Sequence, residues 1–122
     1  MLILDANIWI AALNIDDSQH SKASQIFDQI HETIVIPEHI LIEVVNVLTL
    51  HVGKKIADQF LQMALNSGDV EIWFSSENFT KEMIRYFLAN SHKKLSFQDQ
   101  SLHYFSQSHK VLTFDKDLAK LL

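Results

Sequence analysis

Short apolar runs alternate along this chain with longer segments whose apolar residues return every three or four positions. Leu2-Ile3-Leu4 is apolar throughout and reads as a buried strand, with Asp5 at its carboxyl end. Asn7 to Leu13 is apolar and helical in character. Between Ser18 and Glu32, Ala23, Ile26, Phe27 and Ile30 fall at i, i+3, i+4 and i+7, one face of an amphipathic helix. Thr33 to Ile36 is β-branched throughout and predicts a second strand. Pro37 suits the first turn of the next helix, which runs from Glu38 to His51 on an apolar face of Ile40, Val44, Val47 and Leu48.

Gly53 ends that helix, and Lys54 to Ser67 is another, with Ile56, Phe60, Met63 and Ala64 on one side and Gly68 after it. Val70 to Phe74 is a third strand. Ser76 to Asn90 is helical, with Phe79, Met83, Tyr86 and Phe87 turned inward. Ser96 caps a helix carrying Leu102 and Phe105, Lys110 to Phe114 is a fourth strand, and a last helical turn starts at Asp117. The order β-α-α-β-α-α-β-α-α-β-α, with short apolar strands, predicts an α/β domain whose parallel sheet is covered on both faces. Ligands of such sheets bind beyond the carboxyl ends of the strands, where Asp5 and Asp115 stand.

Composition narrows the chemistry. The 122 residues suit one domain, and 48% hydrophobic residues supply a core. The absence of cysteine excludes disulfides, thiolate zinc sites and cysteine nucleophiles. No signal-peptide pattern and no apolar run of about 18 residues occur, so a soluble, cytoplasmic protein with no membrane partner is expected. The net charge of −5 and the single arginine, Arg85, exclude a broad basic face, leaving Lys54-Lys55 and Lys93-Lys94 as local phosphate contacts. The seven histidines (His20, His31, His39, His51, His92, His103 and His109) show no zinc-like spacing and read mostly as surface residues. Trp9 and Trp73 read as core or interface rather than base-stacking groups.

Four acids remain: Asp5, Glu43, Asp99 and Asp115. Clustered carboxylates repel one another unless protonated, solvated or neutralised by a cation. Hard oxygen donors select Mg²⁺ or Mn²⁺, which activates water and steadies a leaving oxygen, chemistry suited to phosphodiester hydrolysis. Each acid also has a structural alternative. Asp5 interrupts an apolar run and needs a partner, or is an ordinary strand-end acid. Glu43 lies amid Leu41-Ile42 and Val44-Val45, or marks an exposed stripe on that helix. Ser96-Phe97-Gln98-Asp99 has the form of a capping box, and Asp115-Lys116-Asp117 that of a solvated helix cap.

Four blocks in order carry a family resemblance. Leu2 to Asn7 is a strand ending in D-x-N, and Ile36 to Leu48 holds Glu43. Leu95 to Asp99 follows, and Val111 to Leu118 is a strand ending in T-x-D. Together they resemble the PIN domains, and among compact members the VapC-like toxins of toxin–antitoxin modules. The resemblance implies a three-layer α/β/α fold with a short, mainly parallel sheet of four or five strands over residues 1–122. It also implies a Mg²⁺- or Mn²⁺-dependent endoribonuclease, an RNA substrate, a small antitoxin partner and a homodimer. On that basis Asp5 and Asp99 hold the metal, Asp115 and Glu43 complete the pocket, Asn7 orients Asp5 or substrate, and Asp117 is peripheral. The chain departs from the pattern at Gln100-Ser101, where small apolar residues are usual, and at Ala6, where Thr is common. Two other readings of the acids stay open: a non-catalytic interaction module on this fold, and a metal-dependent phosphatase. Against the second, Asn7 stands where Asp-nucleophile phosphatases carry a second Asp.

Overall fold

The computed structural model describes residues 1–90 and 94–122. His92 and Lys93, named above, lie outside the described residues. The chain runs β1 (Leu2–Leu4), α1 (Ala6–Leu13), α2 (His20–Asp28), β2 (Ile34–Pro37), α3 (Glu38–His51), α4 (Lys54–Asn66), β3 (Val70–Trp73), α5 (Glu77–Ala89), α6 (Phe97–Ser106), β4 (Lys110–Leu112) and α7 (Lys116–Ala119). That is the order the hydrophobic pattern predicts. Among the described residues the four strands form one all-parallel sheet in the order β3-β2-β1-β4, flanked by helices.

The strands run only three or four residues, so β1 and β2 are marked by continuous apolar character rather than by a period. Leu2, Ile3 and Leu4 lose nearly all their surface, as do Val35 and Ile36, because β1 and β2 sit inside the sheet with helices on both faces. On one side of the sheet Trp9 of α1 packs against Phe27 and Phe60, at ring separations of 5.0 and 5.4 Å. The core face of α3 is Ile40, Val44 and Leu48, each fully buried. Gly53 stops that run with a φ of 135°, a conformation that side-chain-bearing residues rarely adopt.

Four details differ from expectation. Pro37 closes β2 opposite Trp73 and serves as the N-cap of α3, one step before the first helical turn. Ile30 lies past the end of α2 and packs on the core from the following loop. Phe87 keeps 36% of its surface in solvent, leaning on Phe97 rather than entering the core. β4 ends at Leu112, two residues early, because Thr113 and Phe114 turn away to bond with α1.

The direction of winding matters most for the site. From β1 the chain moves to β2 and β3 on one side, then returns to place β4 on the other side of β1. The carboxyl ends of β1 and β4 therefore flank the point where the strand order reverses, the place where open α/β sheets leave a crevice. Asp5 and Thr113 are the first residues beyond those two ends.

Candidate active site

Asp5 leaves β1 and at once becomes the N-cap of α1. Its Oδ1 accepts from the Ala6 amide at 2.7 Å, and its Oδ2 accepts from the Thr113 hydroxyl at 2.7 Å. Its own amide donates to the Leu112 carbonyl, which ties the strand end to β4. Only 7% of the residue is exposed. Burial raises the carboxyl pKa above its ordinary value; the bonds from Thr113 and Ala6 pull it down, and the charges of Glu43 and Asp99 push it up again. Three of the four acids named from sequence thus share one electrostatic neighbourhood.

Thr113 is the hub of this group. Its single hydroxyl hydrogen goes to Asp5, and its oxygen accepts from Asn7 Nδ2 at 3.2 Å and from the Asp115 amide at 3.0 Å. That uses both lone pairs and the proton of the hydroxyl. Asn7 also accepts from the Phe114 amide through Oδ1, so α1 and the turn after β4 are stitched together. Asn7 is therefore linked to Asp5 through Thr113.

The other acids hold double positions. Glu43 is half-buried on α3, and its Oε2 accepts from the Gln98 side-chain amide. Asp99 completes the capping box: its Oδ2 accepts from the Ser96 amide at 3.2 Å while the Ser96 hydroxyl accepts from the Asp99 amide at 3.0 Å. Asp115 is exposed and caps α7, its Oδ1 accepting from the Asp117 and Leu118 amides. Its link to Asp5 runs through its backbone amide and Thr113 rather than through its carboxylate. Asp117 is an exposed first-turn residue of α7 with no side-chain bond to the group. Among the described residues, no three Asp, Glu or His side chains stand together as a metal-holding cluster.

A PIN domain model matches residues 2–121. The chain belongs to the PIN domain family. Among solved structures, this PIN domain superposes on Mycobacterium tuberculosis VapC20, a toxin that cleaves the sarcin–ricin loop. The TM-score is 0.85 at 18% identity, over 98% of this chain and 94% of that one, a likeness that extends to the fold. No curated protein gives a significant match.

The donor set of this PIN domain suits a hard divalent cation. All the grouped side chains offer oxygen, and Mg²⁺ is commonly held by one or two carboxylates with the remaining positions kept by water. A buried Asp5 whose ionised form is opposed by burial and two like charges is a group that a cation would relieve.

Three positions escaped the sequence. Thr113 was visible only as the first letter of T-x-D, with no sign that its hydroxyl reaches residue 5. Gln98 stands by sequence inside a capping box, and its side chain holds Glu43. His39 is one of seven histidines that read mostly as surface residues, and it is half-buried: its ring lies parallel to that of Phe105 and its Nε2 meets the Ser101 hydroxyl at 2.7 Å. Burial holds its pKa down at about 4. Gln100 and Ser101, where the family usually has small apolar residues, are both buried. Ser101 is satisfied by His39 and the Gln98 carbonyl, but the Gln100 Oε1 meets no donor among the described residues.

Proposed function

We propose that this chain is a Mg²⁺- or Mn²⁺-dependent endoribonuclease, one domain over residues 1–122, acting as the toxin of a toxin–antitoxin module. The observation that carries the proposal is the buried Asp5 carboxyl at the strand-order reversal, repelled by Glu43 and Asp99. A protein without use for such a group would replace it, because burying a carboxylate among like charges is costly. Membership of the PIN family and the likeness to a VapC toxin support the same reading.

In this proposal Asp5 and Asp99 hold the cation, with Glu43 and Asp115 completing the acidic pocket directly or through water. A bound Mg²⁺ or Mn²⁺ supplies an activated water and neutralises charge at the phosphate. The chain's own residues do the orienting. Thr113 and Asn7 fix the rotamer of Asp5, Gln98 restrains Glu43, and the Ser96 capping box restrains Asp99. RNA affinity rests on few cations; Lys22, whose ammonium lies over the Phe114 ring, is one at the turn that carries Thr113 and Asp115. Exposed Ile84, Phe87 and Leu88 on α5 support a protein partner such as an antitoxin or a second copy. No described helix is long and apolar enough to cross a membrane, in keeping with a cytoplasmic nuclease.

The test is cleavage of mixed single-stranded RNAs with and without Mg²⁺. Wild type is expected to cut only with metal, and Asp5→Asn to lose at least about a hundredfold in rate. Equal cleavage by Asp5→Asn would refute the proposal. The structural caps served by Asp99 and Asp115 favour a second reading, a non-catalytic interaction module. A Mn²⁺ titration separates the two, since the module predicts no binding that depends on Asp99.

A further inference from the structure

A second feature adjoins the acidic group. A partly open cavity of about 180 Å³ lies between α3, α5 and α6. None of the four acids lines it. Gln98 does, and the same side chain donates to the Glu43 carboxylate, so one residue separates the cavity from the site.

The lining has a particular chemistry. Phe79 and Phe97 contribute aromatic rings, and Phe97 keeps 45% of its surface in solvent. Thr80, Gln98, Ser101 and His39 contribute polar groups. The Ser101 hydroxyl has one hydrogen, and the Gln98 carbonyl at 2.6 Å can only accept it. His39 Nε2 must then carry the hydrogen it shares with Ser101, which leaves Nδ1 as an acceptor with no donor among the described residues. His39 is neutral at physiological pH, since its pKa is held at about 4. The cavity is thus lined by no charged side chain.

These properties select among ligands. A phosphate or a sugar-phosphate would find no counter-charge. A neutral planar heterocycle would find aromatic faces for stacking and hydrogen-bonding groups for its edge. At about 180 Å³ the space falls below the range of ordinary ligand pockets, roughly 300 Å³ and upward, and suits one ring system rather than a whole nucleotide. We infer that this cavity receives one unpaired nucleobase of the RNA, adjacent to the phosphate that lies at the acidic group, and sets base preference at that position. The inference rests on the nuclease proposal for its substrate and on the cavity for its site.

Two arms test it. In the first, each of the four free ribonucleosides is titrated without metal into wild type, Thr80→Trp and Phe97→Ala, followed by amide and side-chain NMR shifts. Both substitutions fall at exposed positions, and the tryptophan is placed to fill the cavity. One nucleoside should shift the Phe79, Phe97 and His39 resonances of wild type, with affinity at least about fivefold weaker in both variants. In the second arm, a randomised RNA pool is cut with Mg²⁺ present. Wild type should favour that same base at one fixed position, and Thr80→Trp should lose the preference at least about fivefold while still cutting. If Thr80→Trp cuts with the wild-type preference, or no nucleoside perturbs the cavity, the base site is refuted and the nuclease proposal stands. If a nucleoside binds in the cavity but no RNA is cut, the nuclease proposal fails and the cavity is a base site of another activity.

Discussion

Replacing Thr113 with valine removes the hub of the acidic group while keeping its volume. Three hydrogen bonds meet at that hydroxyl, but they do not weigh equally. Asp115 is exposed, so water replaces the bond to its amide at little cost. Asn7 is half-buried and retains its bond to the Phe114 amide. Asp5 is the expensive partner, because a 7%-exposed carboxyl loses one of its two donors. An unmet buried acceptor of that kind costs about 1–3 kcal/mol. The same loss removes the larger of the two hydrogen bonds holding the Asp5 pKa down, so the acid protonates at higher pH. Urea denaturation at pH 7 should therefore give Thr113→Val an unfolding free energy lower by about 1–3 kcal/mol. The acid limb of its cleavage profile should move to higher pH, and its rate should fall by about ten- to a hundredfold, as for other losses of ligand-orienting groups. Thr113→Ser keeps the hydroxyl and should preserve both the acid limb and most of the rate. Stability within about 0.5 kcal/mol of wild type, with an unmoved acid limb, would show that the hydroxyl does not hold Asp5.

His39 predicts a loss of stability in acid. Its folded pKa of about 4 lies below the ordinary 6.5, so the unfolded chain takes up the proton first as pH falls between those values. At about 1.4 kcal/mol per pH unit, the effect reaches at most roughly 3 kcal/mol near pH 4. Asp5 works in the opposite sense, since a carboxyl with a raised folded pKa favours the folded state on protonation. The check is therefore a difference: urea midpoints of wild type and His39→Gln at pH 7 and 4.5, with the variant losing less on acidification. The capping box yields a separate pair. Ser96→Ala should lower stability by about 1 kcal/mol, whereas Asp99→Asn keeps an oxygen for the Ser96 amide and should instead weaken Mn²⁺ binding in calorimetry.

The architecture was legible because its signals are local. Pro37, the stripe Ile40-Val44-Leu48 and Gly53 bracket α3 from within one stretch of chain, and its bounds came out as Glu38–His51. The capping roles of Ser96, Asp99 and Asp115 were legible for the same reason, since donor and acceptor lie within three residues. What pattern did not carry were bonds between elements that only the winding brings together. Asp5 and Thr113 are 108 positions apart and meet because β4 returns to the side of β1. Gln98 and Glu43, and Ser101 and His39, meet across α6 and α3 in the same manner. Nothing local sets His39 apart from the other histidines, because its helix carries polar and apolar residues side by side and its partner lies 62 residues away.

The strand order also has a meaning in time. A chain leaves the ribosome amino end first, and its domains fold as units once enough of them has emerged. Among the described strands β1 comes first in the chain, and β4, its neighbour on one side, comes last. The Leu112 carbonyl, the Thr113 hydroxyl and the Asp5 carboxyl come together only after β4 has been made. Before then Asp5 lacks the Thr113 hydroxyl as a donor. The fold thus delays the finished site until β4 and the turn that carries Thr113 have emerged.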